Sequence, residues 1–133
     1  MTEAETEQQQ EGVWPGPLGE DGPCHPHWEI TPRAVQRMQR NGQPFVLLDC
    51  RTEEEEEIAR LEGGRLVPMT QLSLHIDELR DHEDDPIVVY CHTGRRSLTV
   101  ANVLRQCGFR HVRSMAGGIE RWSKEVDPSI PRY

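Results

Sequence analysis

The residues with the clearest capacity for chemistry are Cys91-His92-Thr93-Gly94-Arg95-Arg96-Ser97. They follow Ile87-Val88-Val89-Tyr90, an apolar run rich in β-branched residues, and lead into the helical pattern Ser97-Leu98-Thr99-Val100-Ala101-Asn102-Val103-Leu104. A buried strand, a short glycine-containing turn and a helix start make an anion site, because freed backbone N–H groups and the positive helix end converge on the turn. A cysteine placed there ionises easily, its thiolate favoured by the helix terminus and by nearby cations. A cysteine alone at a strand end reads as a buried structural residue. Gly94, Arg95 and Arg96 turn that reading toward a nucleophile.

A second strand end also carries polar residues. Phe45-Val46-Leu47-Leu48 is continuously apolar, as in a strand covered on both faces, and it runs into Asp49-Cys50-Arg51. Strand ends carry function in open α/β sheets, so Asp49 and Arg51 are second-tier site residues; the alternative for them is a structural ion pair or cap. Cys107 shares a helical face with Val100, Ala101 and Leu104 and reads as core. Cys24, Cys50 and Cys107 are expected to be dispensable for turnover at Cys91. Cys24-His25-Pro26-His27 contains metal-ligand types, but no second cluster completes a tetrahedral set. The segment reads as a linker, with no metal expected.

The elements that must position these residues can be placed by pattern. Thr31 and Pro32 mark a helix start, with Asn41-Gly42 as its stop. Thr52 caps a short helix over Glu53 to Glu57, whose acidic run reads as a solvated face suited to the helix dipole. Gly63-Gly64 is a turn, Arg65 to Pro68 a short strand, and Thr70 to Arg80 a helix with Leu72, Ile76 and Leu79 on one face. Pro86 leads into the central strand. His111 to Arg113 is a last short strand, and Ile119 to about Lys124 a last helix. Two prolines predict an extended surface tail from Asp127 to Tyr133. Strands alternating with helices imply an α/β fold with a mostly parallel sheet and helices on both faces.

The chain has 133 residues, 23 Asp and Glu against 15 Lys and Arg, and a net charge of −8. That length suits one domain. The acidic balance argues against nucleic-acid binding. No apolar run of membrane length and no signal-peptide pattern is present, and the four cysteines contain no C-x-x-C pair. A cytoplasmic protein with free thiols is the expectation. Residues 1–27 have no Lys or Arg and are rich in Glu, Gln, Pro and Gly, so they are expected to be disordered, ahead of a domain over 28–133. Trp14 is the odd residue there, a candidate for docking on the domain or on a partner.

Three motifs in this order resemble a single-domain rhodanese, from about Trp28 to Tyr133. They are Leu47-Leu48-Asp49-Cys50-Arg51, the opening strand ending in Asp-x-Arg; Tyr90 to Ser97, the active loop; and Ser114-Met115-Ala116-Gly117-Gly118-Ile119-Glu120-Arg121-Trp122, the late Gly-Gly-x-x-x-Trp element. One departure stands at Ala59-Arg60-Leu61, where many members carry Gly-His-Ile. The resemblance implies a rhodanese-like three-layer fold with a central sheet of about five strands. It also implies transfer of sulfane sulfur through a Cys91 persulfide, without metal or organic cofactor. The partners would be a small-molecule donor such as thiosulfate and a thiophilic acceptor, either cyanide or a thiol, including one on a protein.

The residues support that chemistry on their own terms. A persulfide is an extended anion that needs donors around its outer sulfur, and the loop His92, Thr93, Gly94, Arg95, Arg96 and Ser97 offers N–H groups and cations with no acidic side chain of its own. Rival readings are a persulfide carrier or an interaction module serving a partner protein. A cysteine phosphatase is disfavoured by spacing. That site needs arginine six positions after cysteine, and here Arg96 lies at the fifth position and Ser97 at the sixth.

Overall fold

A computed structural model describes Trp14 and residues 21–133. Two helix starts follow directly from side-chain capping. Thr31 Oγ1 accepts the Ala34 N–H at 3.2 Å, with Pro32 at the first helical position of α1 (Pro32–Arg40). Thr52 and Glu55 form a reciprocal capping box at the start of α2 (Glu53–Ile58), satisfying backbone donors that a helix start leaves open.

The strands are β1 (Glu29–Ile30), β2 (Val46–Asp49), β3 (Gly64–Leu66), β4 (Ile87–Tyr90) and β5 (Val112–Met115). They form a single parallel sheet in the order β1-β5-β4-β2-β3. Ile87 to Tyr90 are all buried, and β4 lies in the middle of the sheet. The remaining helices are α3 (Leu72–Leu79), α4 (Arg95–Gln106) and α5 (Gly118–Glu125). On one face, α1 and α5 bring Ala34, Val35, Met38, Ile119 and Trp122 onto Leu47 and Val88. On the other, α3 and α4 bring Leu72, Leu79, Val100, Ala101 and Leu104 onto Leu48 and Val89. This is the expected three-layer α/β fold, with the sheet wholly parallel. Among the described residues no helix is long and apolar enough to cross a membrane.

Four local outcomes differ from the pattern. The helix expected from Thr70 is a 3₁₀ turn, Met69–Gln71, before α3 begins at Leu72, and Arg80–His82 is a second 3₁₀ turn. Helix α4 starts at Arg95, two residues before Ser97, because Gly94 takes φ 100° and turns the chain immediately before it; that left-handed conformation costs glycine little. The departure at Ala59-Arg60-Leu61 leaves a tightly held segment. Ala59 and Leu61 are buried, and the Leu61 N–H donates to Tyr90 Oη at 3.2 Å. The fourth difference is the tail. Ile130 packs on the α1/α5 side of the core, and Ser123 Oγ donates to the Ile130 carbonyl. Arg132 pairs with Glu120 at 2.6 Å, so the tail is a strap that carries Tyr133 back to the cysteine loop.

Of the segment 1–27, residues 1–13 and 15–20 lie outside the described residues. Of the others, Trp14 is buried, and the carbonyls of Asp21, Pro23 and Pro26 accept from Arg121 and Arg113 while most of residues 21–27 stay exposed. Trp14 is 5% exposed within the core cluster, with the Arg113 guanidinium 5.3 Å from its ring centre. Arg121 donates to the carbonyls of Asp21 and Pro23 at 2.9 and 2.6 Å. An indole brought to an apolar surface removes enough area from water to offset some chain ordering.

Candidate active site

Cys91 follows the last residue of β4 and is 1% exposed. Its sulfur accepts the N–H of Gly94 at 3.1 Å and of Ser97 at 3.3 Å. Ser97 Oγ lies 3.4 Å from the sulfur and 2.7 Å from Ser114 Oγ on β5, so Ser114 sets the hydroxyl from behind. The thiol is lowered to about 5. The adjacent Cys50 thiol, which donates to it, is the largest cause; burial opposes, and the Ser97 hydroxyl and the Ser97 and Gly94 N–H groups add to the lowering. The Cys50 thiol is correspondingly pushed up, by its hydrogen bond to Cys91 and by burial. The site therefore holds a thiolate with its proton donors already in place.

The late glycine pair explains how the loop keeps its N–H groups turned inward. The Ile119 and Glu120 N–H groups, in the first turn of α5, donate to the carbonyls of Cys91 and His92 at 2.9 and 3.0 Å. A Cβ on Gly118 would collide with those same carbonyls. With the carbonyls drawn outward, the N–H groups of Arg95 and Arg96 meet no acceptor among the described residues. They stand at the start of α4 beside the sulfur.

The charged residues sort differently from expectation. Arg96 is bound bidentately by Glu55 of α2, at 2.6 and 2.9 Å. That contact holds the Glu55 carboxyl at about 2, with the Arg96 guanidinium as the largest cause and the Tyr133 hydroxyl adding to it. The acidic run of α2 is thus not solvated throughout, since Glu55 faces the site. Arg95 is exposed and its guanidinium has no partner among the described residues. Thr93 is exposed. His92 is half-buried, with its ring stacked on Tyr133 at 4.0 Å and Nε2 3.8 Å from Glu120. Tyr133 Oη donates to Glu55 at 2.6 Å and accepts from Arg51 at 2.9 Å.

Asp49 and Arg51 make a buried ion pair, bidentate at 2.9 and 2.7 Å. Arg51 also donates to the carbonyls of Ala59 and Glu55, and Tyr90 Oη donates to Asp49 at 3.1 Å. They brace the segment that carries Glu55 and do not touch the sulfur. Glu55, Ser114 and Tyr133 were not singled out by sequence. The capping box was the one local sign that Glu55 is oriented, and it gave no hint of Arg96. No group of three or more His, Cys, Asp or Glu among the described residues is placed to hold a metal ion.

Comparison with known proteins follows the same lines. The chain is 29% identical over 109 residues to the maize (Zea mays) adenylyltransferase and sulfurtransferase MOCS3-2, matching 78% of this chain but 23% of that protein. It is 38% identical over 89 residues to a chloroplastic rhodanese-like/PpiC domain-containing protein of Arabidopsis thaliana, matching 65% of this chain and 30% of that protein. The chain thus spans about a quarter of the length of these curated relatives. In fold it is similar to a human single-domain sulfurtransferase, TSTD1, at TM-score 0.65 and 19% identity, with 73% of this chain and 96% of that one aligned. A rhodanese-like domain protein of Staphylococcus aureus aligns at TM-score 0.66 and 22% identity, over 80% of this chain and 98% of that one. The family model of the rhodanese-like domain matches residues 31–125, from the cap of α1 to the end of α5, and the chain belongs to that family.

Proposed function

We propose that this chain transfers sulfane sulfur through Cys91. The observation that carries the reading is a buried thiolate held by two backbone N–H groups, with the further N–H groups of Arg95 and Arg96 beside it. The Cys91 thiolate attacks the outer sulfur of a donor such as thiosulfate; the S–S bond breaks and sulfite leaves with its electron pair. The resulting persulfide anion lies against the Arg95 and Arg96 N–H groups, which favour its charge without moving a proton. An acceptor nucleophile then takes the outer sulfur and restores the thiolate. Cyanide becomes thiocyanate, and a thiol becomes a persulfide. Sulfurtransferases among the chain's relatives support the same reading. No part of this scheme calls for a metal or organic cofactor. The compartment is proposed to be the cytoplasm.

The donor is drawn by the helix start and by the exposed Arg95 guanidinium, with Arg96 largely neutralised by Glu55. That neutralisation also weighs against a phosphatase. A tetrahedral phosphate needs an arginine fork, and here the fork is occupied by a carboxylate.

Intact-protein mass after thiosulfate treatment tests the proposal. The protein should gain one sulfur, cyanide should remove it, and Cys91→Ser should never gain it. A protein that gains no sulfur from any sulfane donor, or gains it equally without Cys91, overturns the reading.

A further inference from the structure

The strand pairing places a second thiol where the persulfide would form. Strands β2 and β4 are in register with Leu48 opposite Val89 and Asp49 opposite Tyr90. The pairing continues one residue further, because the Cys50 N–H donates to the Tyr90 carbonyl at 3.1 Å. Cys50 therefore lies across from Cys91. Both side chains enter the same apolar cluster on the α3/α4 face of the sheet, 2% and 1% exposed. Neighbouring strands run about 4.8 Å apart, inside the Cα separation of roughly 4.4–6.8 Å that a disulfide spans. Both cysteines are free. Cys107 cannot take this place, since it sits at the far end of α4 from the loop.

We propose that Cys50 is a resolving thiol, giving the protein a second outcome for its persulfide: release of sulfide with formation of a Cys50–Cys91 disulfide. This rests on the sulfur-transfer reading of Cys91. The Cys50 sulfur attacks Cys91 Sγ, the inner sulfur of the persulfide. A new S–S bond forms between the two cysteines, and the bond to the outer sulfur breaks. The outer sulfur leaves with that electron pair, takes the Cys50 proton and departs as hydrosulfide. Two thiol sulfurs are oxidised to a disulfide while the sulfane sulfur is reduced to sulfide, so no external oxidant is involved. An external dithiol reduces the disulfide and returns both thiols, itself becoming a disulfide. The net activity is dithiol-dependent release of sulfide from a sulfane donor.

The geometry suits the direction of attack. The loop N–H groups meet Cys91 from the α4 side, where the outer sulfur would lie, and Cys50 meets it from the sheet. The Cys50 thiol is kept protonated beside the Cys91 thiolate, which guards it from competing reactions until the charge has moved to the outer sulfur. External acceptors and Cys50 attack different sulfurs, so transfer and release compete for one intermediate.

The test loads the full chain in two ways, with thiosulfate and with polysulfide, a sulfane donor that persulfidates a reactive thiolate without any recognition of the thiosulfate anion. Small-molecule reactants are then removed in the absence of added thiol. The parent protein should first gain one sulfur. It should then lose that sulfur as sulfide at equal stoichiometry and end two hydrogens lighter than its reduced form. Peptide mapping should show a Cys50–Cys91 linkage, and Cys50→Ser should hold its persulfide at least tenfold longer. The mapping on the parent does not depend on the variant's folding. A parent persulfide that persists, with no Cys50–Cys91 linkage, overturns the inference and leaves sulfur transfer standing. With either donor, no gain of sulfur, no released sulfide and no Cys50–Cys91 linkage together overturn sulfur transfer itself, and a response to polysulfide alone overturns only thiosulfate as donor.

Discussion

Two neighbouring strands, β2 and β4, end side by side in buried polar groups, and their difference is instructive. At the end of β2, the Asp49 carboxylate meets the Arg51 fork, the Tyr90 hydroxyl and the Arg51 N–H, and Arg51 is capped by carbonyls and by Tyr133. Every strong group there has a protein partner. At the end of β4, the Cys91 sulfur meets donors only, and the N–H groups beyond it meet no acceptor among the described residues. A buried charge whose partners are all internal holds structure. One faced by unfilled donors is poised for an incoming anion.

The comparison breaks most sharply at the sulfur. Cys91→Ser should lower thiosulfate:cyanide turnover by at least about a thousandfold, since a hydroxyl is a weak nucleophile without a base, while the thermal midpoint barely moves. Turnover near the parent rate would remove Cys91 from the mechanism. At the other strand end the effect should fall on stability. Arg51→Ala leaves Asp49 as an uncompensated buried carboxylate and should cost about 3–5 kcal/mol in urea unfolding. A loss below about 1 kcal/mol would show that the pair is not the brace described.

A finer test uses pH. The rate of persulfide loading should rise with pH through a midpoint near 5, as Cys91 loses its proton, and stay level above it. Ser97→Ala removes one donor to the thiolate and should move that midpoint up by roughly one unit; an unmoved midpoint would mean the hydroxyl does not stabilise the anion. The smallest expected effect is at Glu55. Glu55→Gln frees the Arg96 charge and should lower the KM for thiosulfate by about two- to fivefold, the scale of a partly exposed ion pair. The gain should shrink with added salt, and no change at low salt would show that Arg96 does not reach the donor.

Local signals carried far in this chain. Thr31-Pro32 and Thr52 announced their helices because capping is a contact within a few residues. Ile87 to Tyr90 announced the central strand because burial on both faces leaves an unbroken apolar run. Gly117-Gly118 and the cysteine loop are legible as motifs, although the reason for the second glycine, the carbonyls of Cys91 and His92 pressed against Gly118, is not. The helix begins two residues ahead of Ser97 because Gly94 supplies its start through a backbone angle and not through a capping side chain, a signal that no residue type spells out.

The sequence by itself determined the alternation of strands and helices and the covering of the sheet on both faces, and it singled out Cys91 as the candidate nucleophile. These depend on periodicity, caps and turn residues, all read within one element. Only the tertiary structure decided which cation Glu55 binds, what stands behind Ser97, where the tail goes, and that Cys50 faces Cys91. Glu55 and Arg96 are 41 residues apart in the chain, and Ser97 and Ser114 are 17 apart. Cys50 meets Cys91 through the register of two strands with a helix, a strand and a further helix between them. A hydrophobic pattern reports which face of an element is buried; it carries no information about which polar side chain on another element will be opposite once the layers close.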